Sequence, residues 1–124
     1  MPQIFSVFQI VIDKDLSDLI NKEGHRCHVK SLARLEAMMD GDVRLGIMHD
    51  CYTKVAKVVA DDLEHVFEVG NIGPEDRITR LEKMTSISVG DIIADADGVC
   101  SVVNNVGFTP LAPSFHKMVL KEAA

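Results

Sequence analysis

The stretch Ile4–Ile12 (IFSVFQIVI) does most to limit what this chain can fold into. Alternate residues of an extended chain point to opposite sides. Ile4, Phe8, Ile10 and Ile12 therefore share one face, and Phe5, Val7, Gln9 and Val11 share the other. Apolar groups on both faces need cover on both, which marks a central or doubly covered strand. A second strand-rich region must lie elsewhere to pair with it, and Thr85–Leu111 supplies one. There Ile87, Val89 and Ile92–Ile93 read as one strand, interrupted by a bulge or bend at Gly90–Asp91. Val89 is expected in apolar surroundings. Asp97–Gly98 reads as a tight turn with Gly98 at positive φ, Val99–Val103 as the return strand, and Val106–Phe108 as a third strand stopped by Pro110.

Between these regions the spacing changes from two to three and four. Leu16, Leu19 and Ile20 predict a short helix after Asp13, ending at Gly24, and Val29–Asp40 reads as an amphipathic helix ended by Gly41. Val43–Met48 is expected to be a short extended segment. Cys51–Ala60 (CYTKVAKVVA) fits helix or strand; its Tyr, Thr and three Val favour a strand, because a better helix follows at once. That helix starts with Asp61 as N-cap and Glu64 at the capping-box position. Its apolar stripe is Leu63, Val66 and Phe67, and it ends near Gly70–Asn71. Asn71–Met84 is a connector broken by Gly73–Pro74, and the tail from Ser114 forms a final helical turn. The fold class is α+β: one compact domain over residues 1–124, with a small bent or partly closed antiparallel sheet and two or three short helices.

Charge and composition narrow the function. The chain has 19 acidic and 13 basic residues, a net charge of −6, which disfavours non-specific attachment to nucleic acid or anionic lipid. One Tyr and no Trp leave little for a base-stacking surface. No apolar run is long enough to span a bilayer, so no membrane partner is expected. Three Cys without framework spacing fit a reducing compartment, and Met1-Pro2-Gln3 lacks the basic start of a signal peptide. The expected location is the cytoplasm, and self-association into a homo-oligomer stays open.

Chemical motifs are sparse. His25-Arg26-Cys27-His28 and His49-Asp50-Cys51 could supply the mixed N/S set of a zinc site if the helix between them folds back, but neither has zinc-knuckle spacing. No metal or cofactor is therefore expected. Cys27 and Cys51 lie near His in sequence, yet a thiol enzyme needs a base and an oxyanion site in space. Ser88-Val89-Gly90-Asp91 lacks the glycines and helix start of a phosphate loop; the simpler reading is that Ser86 and Ser88 satisfy backbone groups at the strand's entry, with Asp91 bonding locally around the Gly. Arg77, Arg80 and Lys83, with Lys54 and Lys57, make a local basic stripe interspersed with Glu75, Asp76 and Glu82.

Residues 50–111 resemble the YodL-like family of phages, plasmids and other mobile elements. The resemblance rests on Tyr52, the helix ending near Asn71, Ser86-Ile87-Ser88-Val89-Gly90-Asp91-Ile92-Ile93, and Gly107–Phe108. Two departures are Cys100–Ser101, where aromatic residues are expected, and a longer charged loop at Glu75–Arg80. The resemblance implies a non-enzymatic accessory protein that binds a host component, a protein first and nucleic acid second, in the host cytoplasm. It carries over no catalytic residue. A zinc- or thiol-dependent enzyme is the least favoured reading. Loops on a rigid sheet are where recognition concentrates, so Arg77, Arg80, Lys83 and Phe108 are the expected contact residues.

Overall fold

The computed structural model describes residues 2–120. It is an α+β domain built on one open, six-stranded antiparallel sheet, with five α-helices among the described residues. The strands are β1 (Gln3–Ile10), β2 (Tyr52–Ala60), β3 (Ile78–Arg80), β4 (Ile92–Ala94), β5 (Cys100–Val103) and β6 (Phe108–Pro110), in spatial order β3-β2-β1-β4-β5-β6. The helices are α1 (Lys14–Glu23), α2 (Val29–Asp40), α3 (Arg44–Met48), α4 (Leu63–Ile72) and α5 (Pro113–Leu120). The sheet stays open because its ends, β3 and β6, are short strands at opposite edges.

β1 lies near the middle, paired to β2 and β4, and is covered on both sides as its two apolar faces require. On one side Phe8, Ile10, Tyr52, Ile92 and Val102 pack under Ala33 and Ala37 of α2, Ile47 of α3 and Val119 of α5. On the other, Phe5, Val7, Val58 and Ile93 pack under Val66 and Val69 of α4 and under Ile87. The register of β1 with β2 slips between Val7 and Phe8, and Val55 is the extra residue. This bulge sends both Val55 and Ala56 to the α4 side, where both are fully buried. The Val55 carbonyl then accepts the N–H groups of Leu81 (2.8 Å) and Glu82 (3.2 Å), tying the connector to the sheet.

Several elements follow the sequence closely. α2 has the predicted span and ends on Gly41 at φ 68, and Asp13 caps α1 by accepting the Leu16 N–H at 2.8 Å. Of Cys51–Ala60, all but Cys51 is strand, as expected. Elsewhere the chain differs. Val43–Met48 is not extended: Arg44–Met48 is the helical turn α3, whose Gly46 and Ile47 are buried beside Tyr52. The cap of α4 is Asp62 rather than Asp61, accepting the His65 N–H at 2.8 Å. His65, not Glu64, reaches back, its Nδ1 accepting the Asp61 N–H at 3.0 Å. The connector contains β3, whose three residues are too few to show a period.

The largest difference is at Thr85–Asp91, which is not strand; pairing begins only at Ile92. Val89 is half-buried rather than in the core. The hairpin turn is also longer than two residues. The Gly98 N–H bonds the Asp95 carbonyl (3.0 Å), the Asp95 N–H bonds the Val99 carbonyl (3.0 Å), and only Gly98 has positive φ, at 84°. This is a three-residue loop closed by a left-handed glycine. Gly98→Val is expected to lower stability by more than about 1 kcal/mol in denaturant titration, and Gly98→Asn by less. Equal losses would contradict the requirement for positive φ.

Candidate binding groove

Thr85–Asp91 is fixed by side chains rather than by a ladder. The Gln9 carbonyl oxygen accepts the Thr85 N–H (3.1 Å), and its amide donates to the Thr85 carbonyl (3.0 Å) and to Asp91 Oδ2 (3.0 Å). Asn71 does the same for Ile87, accepting its N–H at 2.7 Å and donating to its carbonyl at 3.1 Å. The Tyr52 hydroxyl donates to the Gly90 carbonyl at 2.6 Å. Asp91 Oδ2 accepts the Ser88 N–H (3.0 Å), and the Asp91 N–H returns to the Ser88 carbonyl (3.1 Å). Tyr52, Asn71 and Asp91, with Gln9, therefore hold the Thr85–Asp91 segment at several points, as one latch. Its chemistry is positional. The Ser88 amide is occupied by Asp91 instead of pointing at an anion, and the cavity beside them, lined also by Arg34 and Thr85, has about 20 Å³, room for a water.

Burial pushes the Asp91 carboxyl up to about 6, against the lowering effects of the Ser88 N–H, the Gln9 amide and the Arg34 charge. Burial, followed by the charge of Asp91, also holds the Tyr52 hydroxyl far above its ordinary range. Neither group is exposed as a reactive species.

The thiol and metal candidates are scattered. Among the described residues no group of three or more His, Cys, Asp and Glu could hold a metal ion. Cys51 is buried, its thiol facing the His49 carbonyl at 3.7 Å, and burial raises its pKa, the opposite of what a nucleophile needs. None of Cys27, Cys51 and Cys100 is in a disulfide.

An open groove lies on the α4 side of the sheet, beyond the part that α4 covers. Its walls are Glu64 and Phe67 of α4 and the segment Val103–Phe108, and its volume is about 210 Å³. Phe67 is 39% exposed, Phe108 is half-buried against the core below it, and Val106 at the turn is 92% exposed. The turn is shaped by Gly107 at φ 76 and by the Asn104 N–H bonding the Gly107 carbonyl at 3.0 Å. The outer stripe of α4 continues the groove as Glu68, Asn71 and Ile72, the last 84% exposed.

The four expected contact residues do not form one patch. Phe108 is in β6 and Arg80 in β3, the opposite edges of the sheet, five strand spacings or roughly 24 Å apart. Arg80 pairs with Glu75 through two hydrogen bonds, one of them 3.0 Å. Arg77 donates to the Val59 carbonyl at 3.4 Å, and Lys83 is exposed in the connector. Sequence reasoning placed Phe67 in the buried stripe of α4 and so missed it as a wall of the groove. Its signal was available: Glu64 and Asn71, at i−3 and i+4, put Phe67 on the polar face.

No helix among the described residues is long and apolar enough to cross a membrane. Compared with family models, curated proteins and solved structures, the chain matches none.

Proposed function

We propose that this chain is a non-enzymatic accessory protein of a phage or other mobile element, acting in the host cytoplasm by binding a host protein. The observation that carries the reading is the pair Phe67 and Phe108 lining a common groove at the edge of the sheet, with Phe67 39% exposed. Exposed aromatic side chains beside a fixed cleft are the anchors that protein interfaces use. The YodL-like pattern supports the same reading, since its residues latch the segment leading into the β4–β5–β6 hairpins. Nucleic acid is the weaker partner: Arg80 is engaged by Glu75, and carboxylates flank the basic residues.

Capture from a bacterial lysate, with and without nuclease, tests the reading. A protein partner retained after nuclease treatment and lost with Phe67→Ser is expected. Arg77→Ala with Arg80→Ala should leave folding intact, because both side chains sit on the surface connector, and should weaken capture far less. Retention abolished by nuclease would replace the protein partner with nucleic acid.

A further inference from the structure

From Val58 to Asp76 the chain carries six carboxylates and no Lys or Arg, and from Gly98 to Phe115 it carries no charged residue at all. The groove lies where these two stretches meet. One wall is uncharged (Val103, Asn104, Gly107 and Phe108), and the other presents Phe67 with Glu64 one turn before it and Glu68 beside it. Glu64 and Glu68 are exposed and belong to no ion pair among the described residues. Of the other four, Asp62 caps α4, Asp61 faces His65 and Glu75 holds Arg80, while Asp76 is exposed in the connector and does not line the groove.

The volume also restricts the occupant. The part between Phe67 and Phe108 has about 210 Å³, and the open surface that continues it along α4 adds about 510 Å³, so the whole is longer than a compact small-molecule pocket. The part between the two Phe takes one large side chain and the continuation takes its neighbours in a longer ligand, with apolar walls at the centre and carboxylates at the rim. A second copy of this chain is a poor occupant, because each copy carries a net charge of −6.

We infer that this groove binds a cationic peptide segment of a protein partner. One large apolar side chain seats between Phe67 and Phe108, and Lys or Arg residues on either side of it meet Glu64 and Glu68. The inference rests on the protein-binding reading above and adds the chemistry of the partner. The apolar anchor supplies affinity, since its pocket is desolvated on contact, whereas the rim carboxylates supply attraction at a distance and select against acidic segments.

The probe is an end-blocked peptide, Gly-Ser-Lys-Lys-Leu-Lys-Lys-Ser-Gly, titrated into the isotopically labelled chain and followed by backbone amide shifts. Saturable shifts confined to residues 64–72 and 103–108 are expected. Replacing the central Leu by Ser should weaken binding by about tenfold or more, as should Phe67→Ser in the protein. Replacing the four Lys by Glu should abolish binding, and Glu64→Gln with Glu68→Gln should weaken it and flatten its salt dependence. Unchanged shifts of the remaining amides in these variants would show that the fold is intact. Several results overturn the inference: no saturable shift, shifts elsewhere, equal affinity for the Leu and Ser peptides, or the same shifts produced by raising protein concentration alone. If the peptide fails while lysate capture still depends on Phe67, the groove's chemistry is other than cationic and the binding reading stands. If both fail, both are wrong.

Discussion

Gly90→Ala is expected to be among the most damaging single substitutions in this protein, lowering stability by about 3–5 kcal/mol in denaturant unfolding. Two costs add. Gly90 sits at φ 92, where an L side chain is strained, and a Cβ there would lie 2.7 Å from the carbonyl carbon, the carbonyl oxygen and the Cβ of Ala37. Those atoms belong to α2, so no rotamer change relieves the overlap; the helix itself must shift off the sheet. The same residue accepts the Tyr52 hydroxyl and donates its N–H to the Val103 carbonyl at 2.9 Å, so a displaced Gly90 loses both. A loss below about 1 kcal/mol would mean that α2 does not seat on this loop.

The second large effect is a pH dependence set by Asp91. Its pKa rises from 3.8 to about 6 on folding, so between these values the folded chain holds a proton that the unfolded chain has released. Stability therefore falls as pH rises through this window. The penalty is absent below about pH 4 and complete above about pH 6, and a shift of about two units corresponds to about 3 kcal/mol. Asp91→Asn keeps an oxygen to accept the Ser88 and Gln9 donors but carries no charge. The variant is expected to gain on the wild type by up to about 3 kcal/mol as pH is raised from about 4 to about 7. The lowered pKa values of Asp42, held down by Arg44, and of Glu75, held down by Arg80, act equally in both proteins and cancel in the comparison. A gap that stays constant with pH would show that Asp91 titrates as an ordinary carboxylate.

These two residues also mark the boundary of what sequence reasoning reaches. Period and helix-stop chemistry are local, and elements governed by them are legible, although the two adjacent Asp at the start of α4 leave its cap one residue from where the sequence puts it. β1 shows its two apolar faces, α2 its spacing and its Gly41 stop, and β2 its β-branched run. The latch is not local. Gln9 and Thr85 are 76 positions apart and Asn71 and Ile87 are 16 apart, so nothing in TSISVGD shows that side chains replace its ladder bonds. Ile87 and Val89 look like strand residues because the loop buries Ile87 as a strand would. β3 and α3 are too short to show a period. The candidate groove is partly legible: Phe108 stands at the end of the hairpin region, and it lines the groove. Its grouping with Arg77, Arg80 and Lys83 depended on strand order, which puts them on opposite edges.

The central claim is that this chain works by binding a protein through the Phe67–Phe108 groove. The most direct test compares two variants that both fold by circular dichroism, Phe67→Ser and the double variant Arg77→Ala with Arg80→Ala, in nuclease-treated lysate capture. The groove account predicts that the partner is lost with Phe67→Ser and kept by the double variant. Capture kept by Phe67→Ser and lost by the double variant would contradict it, and would move the contact surface to the β3 edge.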